Sequence, residues 1–170
     1  IQVSLTKKNS DYFISGNFFD ASSQIKNFIK NQNQTSKMKL FSNLNSKINI
    51  KIEKILIDKD SYFNNFNGNI RFKKNNIYFS DINSLINNKN KFKFNLLTDK
   101  NNQKITNLFI ENPESFIKNY DFIKGFKEGK LVYESVKINN KSRSKLNIYN
   151  FKIREVPILA KLLTLASLQG

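Results

Sequence analysis

At 170 residues the chain is long enough for one ordinary domain with a real core and too short for several. With 39% hydrophobic and 13% aromatic residues it carries too much apolar material for a disordered tail, so it is expected to fold. It has no His and no Cys, which excludes Ser-His and Cys-His nucleophilic pairs, thiolate clusters and most zinc sites. Its net charge of +16 is dispersed in ones and twos, as at Lys7-Lys8 and Lys73-Lys74, and forms no nucleic-acid-reading run.

The chain opens on Ile1-Gln2-Val3-Ser4-Leu5, which already alternates as a strand, with neither an initiator Met nor a signal core; it reads as a piece of a longer protein. Strand alternation resumes at Tyr12–Phe19. The segment after Asp20, a candidate cap, places Ile25, Phe28 and Ile29 at helical spacing and predicts a short helix over 22–30. In the stretch from Lys47 to Lys54, Ile48, Ile50 and Ile52 share one strand face, and Lys47, Asn49, Lys51 and Glu53 share the other. Ile55 and Ile57 then take the opposite parity, which predicts a bulge or a new strand near Lys54.

Further strands are expected at Asn69–Lys73, Asn76–Phe79, Lys91–Leu97, Lys104–Ile110, Lys130–Ile138 and Lys145–Ile153, separated by the turn clusters NNFNGN, KKNN, DKNNQ and NNKSRS. Short strands at near-regular spacing predict an antiparallel sheet. Asn112 as cap, Pro113 at the first helical position and the stripe Phe116, Ile117 and Tyr120 predict a helix over 112–125. A last, apolar helix is predicted from Pro157, with Lys161, Thr164 and Ser167 as its narrow polar stripe. It is too short to span a bilayer, and no apolar run in the chain approaches the ~20 residues that a crossing needs.

The whole of 1–170 thus reads as one mainly β unit: a sheet over 1–111 with a short helix at 22–30, a helix at 112–125, then a hairpin and an apolar helix over 126–170. The alternation gathers Ile48, Ile50, Ile52, Ile70, Phe72, Phe92, Phe94, Leu96, Leu131, Tyr133, Leu146 and Ile148 on one face, with Lys and Asn on the other. Such a face forms the core of a closed β-sandwich or barrel, or the lining of an open trough. Asp58 and Asp60 sit among turn residues and read as solvated loop acids. No nucleophile motif, cofactor motif or metal-ligand cluster is visible, and an enzyme is not expected.

The C-terminal span from Ile110 to Gly170 resembles the C-terminal region of AsmA-like proteins, the YhdP and TamB superfamily, in its alphaproteobacterial form. The resemblance rests on Gly129-Lys130-Leu131, on Phe151-Lys152-Ile153, on the run Pro157-Ile158-Leu159-Ala160-Lys161-Leu162-Leu163 and on Leu165-Ala166-Ser167-Leu168; Ser15–Ile25 resembles the family's element entering a short helix. Family members tend to carry glycines where this chain has Glu128 and Asn140 or Ser142, and Asn tolerates the same left-handed backbone.

The resemblance implies a curved antiparallel β-sheet forming an open groove, with two or three short helices including the apolar C-terminal one. It implies a periplasmic protein anchored at the inner membrane through a segment outside these residues. Phospholipid acyl chains would be its partners, carried toward the outer membrane in envelope biogenesis, with no cofactor, no catalytic residue and no specific nucleic acid. The twelve face residues would line the groove, and Pro157, Leu159, Ala160, Leu162 and Leu163 would form the family-motif helix. A non-enzymatic structural β-domain with a closed core, an envelope scaffold or adhesin module, is the other reading.

Overall fold

A computed structural model describes residues 2–25, 45–114, 126–139 and 141–153. They form nine strands: β1 (Gln2–Lys8), β2 (Asp11–Asp20), β3 (Lys47–Leu56), β4 (Tyr62–Lys73), β5 (Asn76–Ile86), β6 (Asn90–Thr98), β7 (Lys104–Glu111), β8 (Phe126–Ile138) and β9 (Lys141–Ile153). They lie side by side in chain order in one open sheet, with β1 and β9 at its two edges among the described residues. Each strand packs chiefly against its neighbours in that order, and among the described residues no second sheet covers either face.

Seven of the eight pairings are antiparallel, as the alternation predicts; the expectation of an all-antiparallel sheet fails at β2 and β3, which run parallel with Tyr12 opposite Ile48 and Ile14 opposite Ile50. The physical reason is the connection: parallel neighbours need a crossover of a dozen or more residues, and the stretch 21–46 supplies one where every other link is shorter or a hairpin. Of the helices expected, one turn is described at 22–25, closed by the Ile25 amide donating to the Ala21 carbonyl at 3.0 Å. The rest of the helix over 22–30 lies outside the described residues, as do 115–125 and the terminal helix with Pro157, Leu159, Ala160, Leu162 and Leu163.

The strands run longer than the alternation marks. NNFNGN, expected as a turn, lies inside β4. Its asparagines are satisfied in place: the buried Asn64 side chain accepts from the Asn88 amide at 2.9 Å, and its carbonyl accepts from Ser84 Oγ at 2.8 Å. Asn87 stitches the next turn to the same region, accepting from the Tyr62 amide at 2.8 Å and donating to the Asp60 carbonyl at 3.2 Å.

The parity change after Ile52 is a bulge within one strand, and it crosses three. Pairing steps past Asn17 in β2, Glu53 in β3 and Asn65 in β4: Gly16 faces Ile52 and Phe18 faces Lys54, then Ile52 faces Phe66 and Lys54 faces Asn64. Both neighbours lack the extra residue, since Gln2 and Val3 of β1 span Phe18 to Gly16 and β5 bridges Asn64 and Asn67 with Leu85 and Asn83. Asn65 takes the left-handed conformation (φ 52) that such an inserted residue uses. Beyond this line the faces exchange parity, so Ile52 and Ile55 are both buried and the Phe63 and Phe66 rings meet at 5.7 Å.

Buried apolar side chains concentrate at that end of the sheet: Ile52, Ile55, Ile57, Ile86 and Ile110, with Pro113 beside them in the fully buried class. Phe63 joins them to β6 by a 4.6 Å ring contact with Phe92. Each isoleucine so buried stabilises the fold by about 1.5–3 kcal/mol.

Asparagine also does the work of turn glycine. Among the described residues, nine of eleven non-glycine positions with positive φ are Asn, including Asn9, Asn75, Asn87, Asn88, Asn102 and Asn139 at the strand connections. Asn reaches this region more cheaply than other non-glycine residues because its short amide bonds the local backbone. Glu128 shares this conformation, with φ 59.

Candidate functional site

In a sheet, residues directly opposite one another share a face, so the register shows where each apolar side chain stands. One row crosses all nine strands: Leu5, Ile14, Ile50, Gly68, Ile82, Phe94, Leu108, Tyr133 and Leu146. Apart from the missing side chain at Gly68 and the Tyr133 hydroxyl it is wholly hydrocarbon. At ~4.8 Å between strands it extends about 38 Å.

Two flanking rows share the face. Toward the buried end, Ser84 faces Phe92, then Ile110, Leu131 and Ile148 follow in line. Toward the other end the row is Tyr12, Ile48, Ile70, Ser80, Leu96, Thr106, Ser135 and Ser144, with Phe72 two residues beyond Ile70 and opposite Ile77. The twelve residues read from the sequence, Ile48, Ile50, Ile52, Ile70, Phe72, Phe92, Phe94, Leu96, Leu131, Tyr133, Leu146 and Ile148, therefore stand on one face.

That face also contains Leu5, Ile14, Phe63, Phe66, Ile82, Leu108 and Ile110, which the alternation did not single out. Ile82 follows a register irregularity in β5, which breaks the parity started by Ile77, and Leu108 sits beside Phe109, so neither strand alternates cleanly. Exposure grades along the row. Ile82, Phe94, Leu108 and Tyr133 are half-buried, whereas Leu5 at one edge is 66% exposed and Leu146 at the other 56%.

The opposite face is built differently. A polar ladder runs Asn49, Asn69, Asp81, Asn95, Asn107, Glu134, Lys145 across β3 to β9. Asn69 Nδ2 donates to Asn49 Oδ1 at 3.1 Å, and Asp81 Oδ1 accepts from Asn95 Nδ2 at 2.8 Å and Asn83 Nδ2 at 3.0 Å. Lys54 on this side lies over the Tyr62 ring at 3.8 Å. The outer face is not uniformly polar, since Phe79, Leu97, Ile105 and Val136 form a short apolar row between Arg71 and Arg143.

Polar groups on this face gather in the row away from the buried end, where Tyr12, Ser80, Thr106, Ser135 and Ser144 stand and Lys7, opposite Tyr12, lies 5.6 Å from its ring centre. Tyr133 OH and Ser144 Oγ are 3.1 Å apart, and Ser144 Oγ donates to Ser135 Oγ at 2.9 Å. The hydrogen bonds of Ser144 and then Ser135 hold the phenol below its ordinary pKa, against an upward push from partial burial. Ser80 Oγ, in a residue 3% exposed between Ile70 and Leu96, has no hydrogen-bond partner.

Asp58 and Asp60 stand in the β3–β4 connection, where Asp58 Oδ1 accepts from the Asp60 amide at 2.9 Å. Among the described residues no group of three metal-ligating side chains comes together, and no helix is long and apolar enough to cross a membrane.

Fold and surface together define a mainly β protein built as a single open nine-stranded sheet with one continuous apolar face. Compared with family models, curated proteins and solved structures, the chain finds no match in any of the three.

Proposed function

We propose that the apolar face shields the acyl chains of phospholipids, and that the chain is a segment of a periplasmic, inner-membrane-anchored AsmA-like protein moving lipid toward the outer membrane. The observation that carries the reading is the row from Leu5 to Leu146, contributed by every strand and left uncovered by any second sheet among the described residues. The C-terminal resemblance supports it independently. A conduit of this kind needs hydrocarbon continuity and no catalytic group, because each acyl methylene removed from water contributes about 0.8 kcal/mol. The curvature that turns such a sheet into a groove belongs to the same proposal. A closed-core scaffold would need a layer over this face, and the described strands form only one layer.

Crosslinking of a photoactivatable phospholipid to the purified protein tests the assignment. Phe94→Asp sets a carboxylate in the row between Ile82 and Leu108; Lys51→Asp sets one on the outer face, opposite Asn67. Displacing two or three methylenes from contact forfeits about 2 kcal/mol, so Phe94→Asp is expected to weaken binding roughly thirtyfold and Lys51→Asp to leave it within about twofold. Equal losses from two variants with native circular dichroism, or a wild-type protein that never retains lipid, refute the reading.

A further inference from the structure

At the rim of the sheet where β3 begins and β4 ends there is a cleft of about 310 Å³, lined by Ser10, Asp11, Asn45, Ser46, Lys47, Arg71, Phe72, Lys73 and Tyr78. Its walls are tied together: the Phe72 amide donates to the Ser46 carbonyl at 2.9 Å, and the Lys74 amide to Asn45 Oδ1 at 2.7 Å. Elsewhere the positive charge of this chain is dispersed, but here three cations face a single carboxylate.

Lys47 and Arg71 are direct cross-strand partners, an arrangement that destabilises a sheet unless a counter-charge answers it. Asp11 is the one acid among the described residues of the cleft's lining, and it lies opposite Lys8 of β1 as well. Two other strand pairs oppose lysines, Lys104 with Lys137 and Lys127 with Lys152; Glu128 answers Lys152 at 2.8 Å, and neither pair lines the cleft. Arg71 is held in place by its stack on Phe79, with Cζ 4.8 Å from the ring centre, and by Nε donating to Asn69 Oδ1 at 3.4 Å. A guanidinium fixed through Nε keeps its terminal nitrogens for a planar oxyanion fork, the geometry that matches phosphate.

Phe72 connects this cleft to the apolar face. It lines the cleft and shares a face with Ile70 and Ile48, whereas Lys47, Arg71 and Lys73 stand on the opposite face, so the cleft straddles the rim of the sheet. We infer that the cleft at Lys47, Arg71 and Lys73 binds a phosphate group, the headgroup phosphate of a lipid whose acyl chain passes over the rim at Phe72 onto the face of Ile70 and Ile48. This rests on the acyl-binding reading of the face. It adds that the lipid is taken in one orientation, with phosphate at this rim and hydrocarbon on the sheet, and that phosphate-bearing lipids are favoured over uncharged ones.

The test uses three probes on the whole chain: inorganic phosphate, uncharged monooctanoylglycerol, and monooctanoylglycerol phosphate, which has the same acyl chain and glycerol plus the anion. Calorimetry gives the affinities, and amide shifts in NMR give the location. The phosphate lipid is expected to bind at least about tenfold tighter than its uncharged counterpart, with shifts at 46–47 and 72–73 and along the apolar row. Combined Lys47→Gln, Arg71→Gln and Lys73→Gln should erase that increment and leave the uncharged lipid unaffected. Lys51→Gln, Lys93→Gln and Lys145→Gln, with the same charge loss on the outer face away from the rim, should preserve it, and Asp11→Asn should strengthen it about two- to threefold.

An increment that survives the cleft variant but falls with the outer-face one reports general charge attraction and overturns the site. Uncharged lipid bound with no phosphate increment overturns the headgroup cleft alone and leaves the acyl-binding face standing. Inorganic phosphate shifting the cleft while neither lipid reaches the row makes it a free-phosphate site, which overturns the lipid assignment and the acyl-binding face with it.

Discussion

Two glycines of this sheet respond to the same substitution with opposite signs. Gly68 occupies the central apolar row between Ile50 and Ile82, and its backbone is in no region that penalises a side chain. A Cβ there meets the Phe66 ring at 3.4 Å and Ile50 at 3.5 and 3.6 Å, ordinary contact distances. Gly68→Ala therefore removes freedom from the unfolded chain and adds buried hydrocarbon, and about 0.5–1 kcal/mol of stabilisation is expected. Gly16 sits where β2 carries its extra residue against β1. A Cβ there collides with the Gln2 carbonyl oxygen and comes within 2.8 Å of the Val3 Cα, both backbone atoms that no rotamer change can move. Gly16→Ala must push β1 off its register, at a cost of about 1–3 kcal/mol.

Urea unfolding of both variants measures the difference, and hydrogen exchange locates it. Gly16→Ala should raise exchange at Val3 to Lys7 while β4 to β7 keep their protection, because among the described strands β1 pairs only with β2. A neutral Gly16→Ala, or a Gly68→Ala that costs more than about 1 kcal/mol, would show that the strand contacts argued from here are wrong.

Other positions give independent checks. Asn65→Val places a β-branched residue at φ 52 and is expected to cost about 1–3 kcal/mol in chemical denaturation, whereas Asn65→Gly should be close to neutral. Ser80→Ala removes a buried hydroxyl that has no partner, so the variant should unfold at equal or higher urea, by up to about 1–2 kcal/mol. Tyr133 should titrate below its ordinary value of 10.0 when followed by ultraviolet absorbance, and Ser144→Ala should move it upward. Because the folded value is the lower one, its contribution to stability is present above the unfolded pKa and lost as pH falls through the folded one. The pH-dependent part of the Ser144→Ala effect therefore appears only in alkali, and a variant whose stability loss changes with pH around neutrality contradicts the assignment.

A single-layer sheet with two edge strands is open to pairing with other molecules along those edges. Both carry charged side chains: Lys141, Arg143 and Lys145 punctuate edge strand β9, and Lys7 and Lys8 end β1. Charged edges of this kind oppose strand-to-strand association between copies. In the polar ladder, Asn49 with Asn69 and Asp81 with Asn95 add side-chain hydrogen bonds from β3 to β4 and from β5 to β6, where a sandwich would have packed a core.

Much of this protein is legible from its residues alone. Ile48, Ile50 and Ile52 against Lys47, Asn49 and Lys51 declare a strand with one dry face, since period-two alternation leaves a side chain no choice of side. The parity change at Ile55 marks a bulge or a new strand for the same reason, and only the pairing of β3 with its neighbours decides for the bulge. Pairing was not legible. That NNFNGN is strand and not turn depends on Ser84 of β5 and Asn88 of the turn after it reaching Asn64. That β2 and β3 run parallel depends on the path of a connection whose residues do not state where it returns. The meeting of Lys47 with Arg71 beside Phe72 likewise exists only once the register is set. Alternation is a property of consecutive residues, so the chain displays it before folding; register, strand direction and the joining of separate rows into one continuous face are relations between distant segments, and hydrogen-bonded pairing decides them.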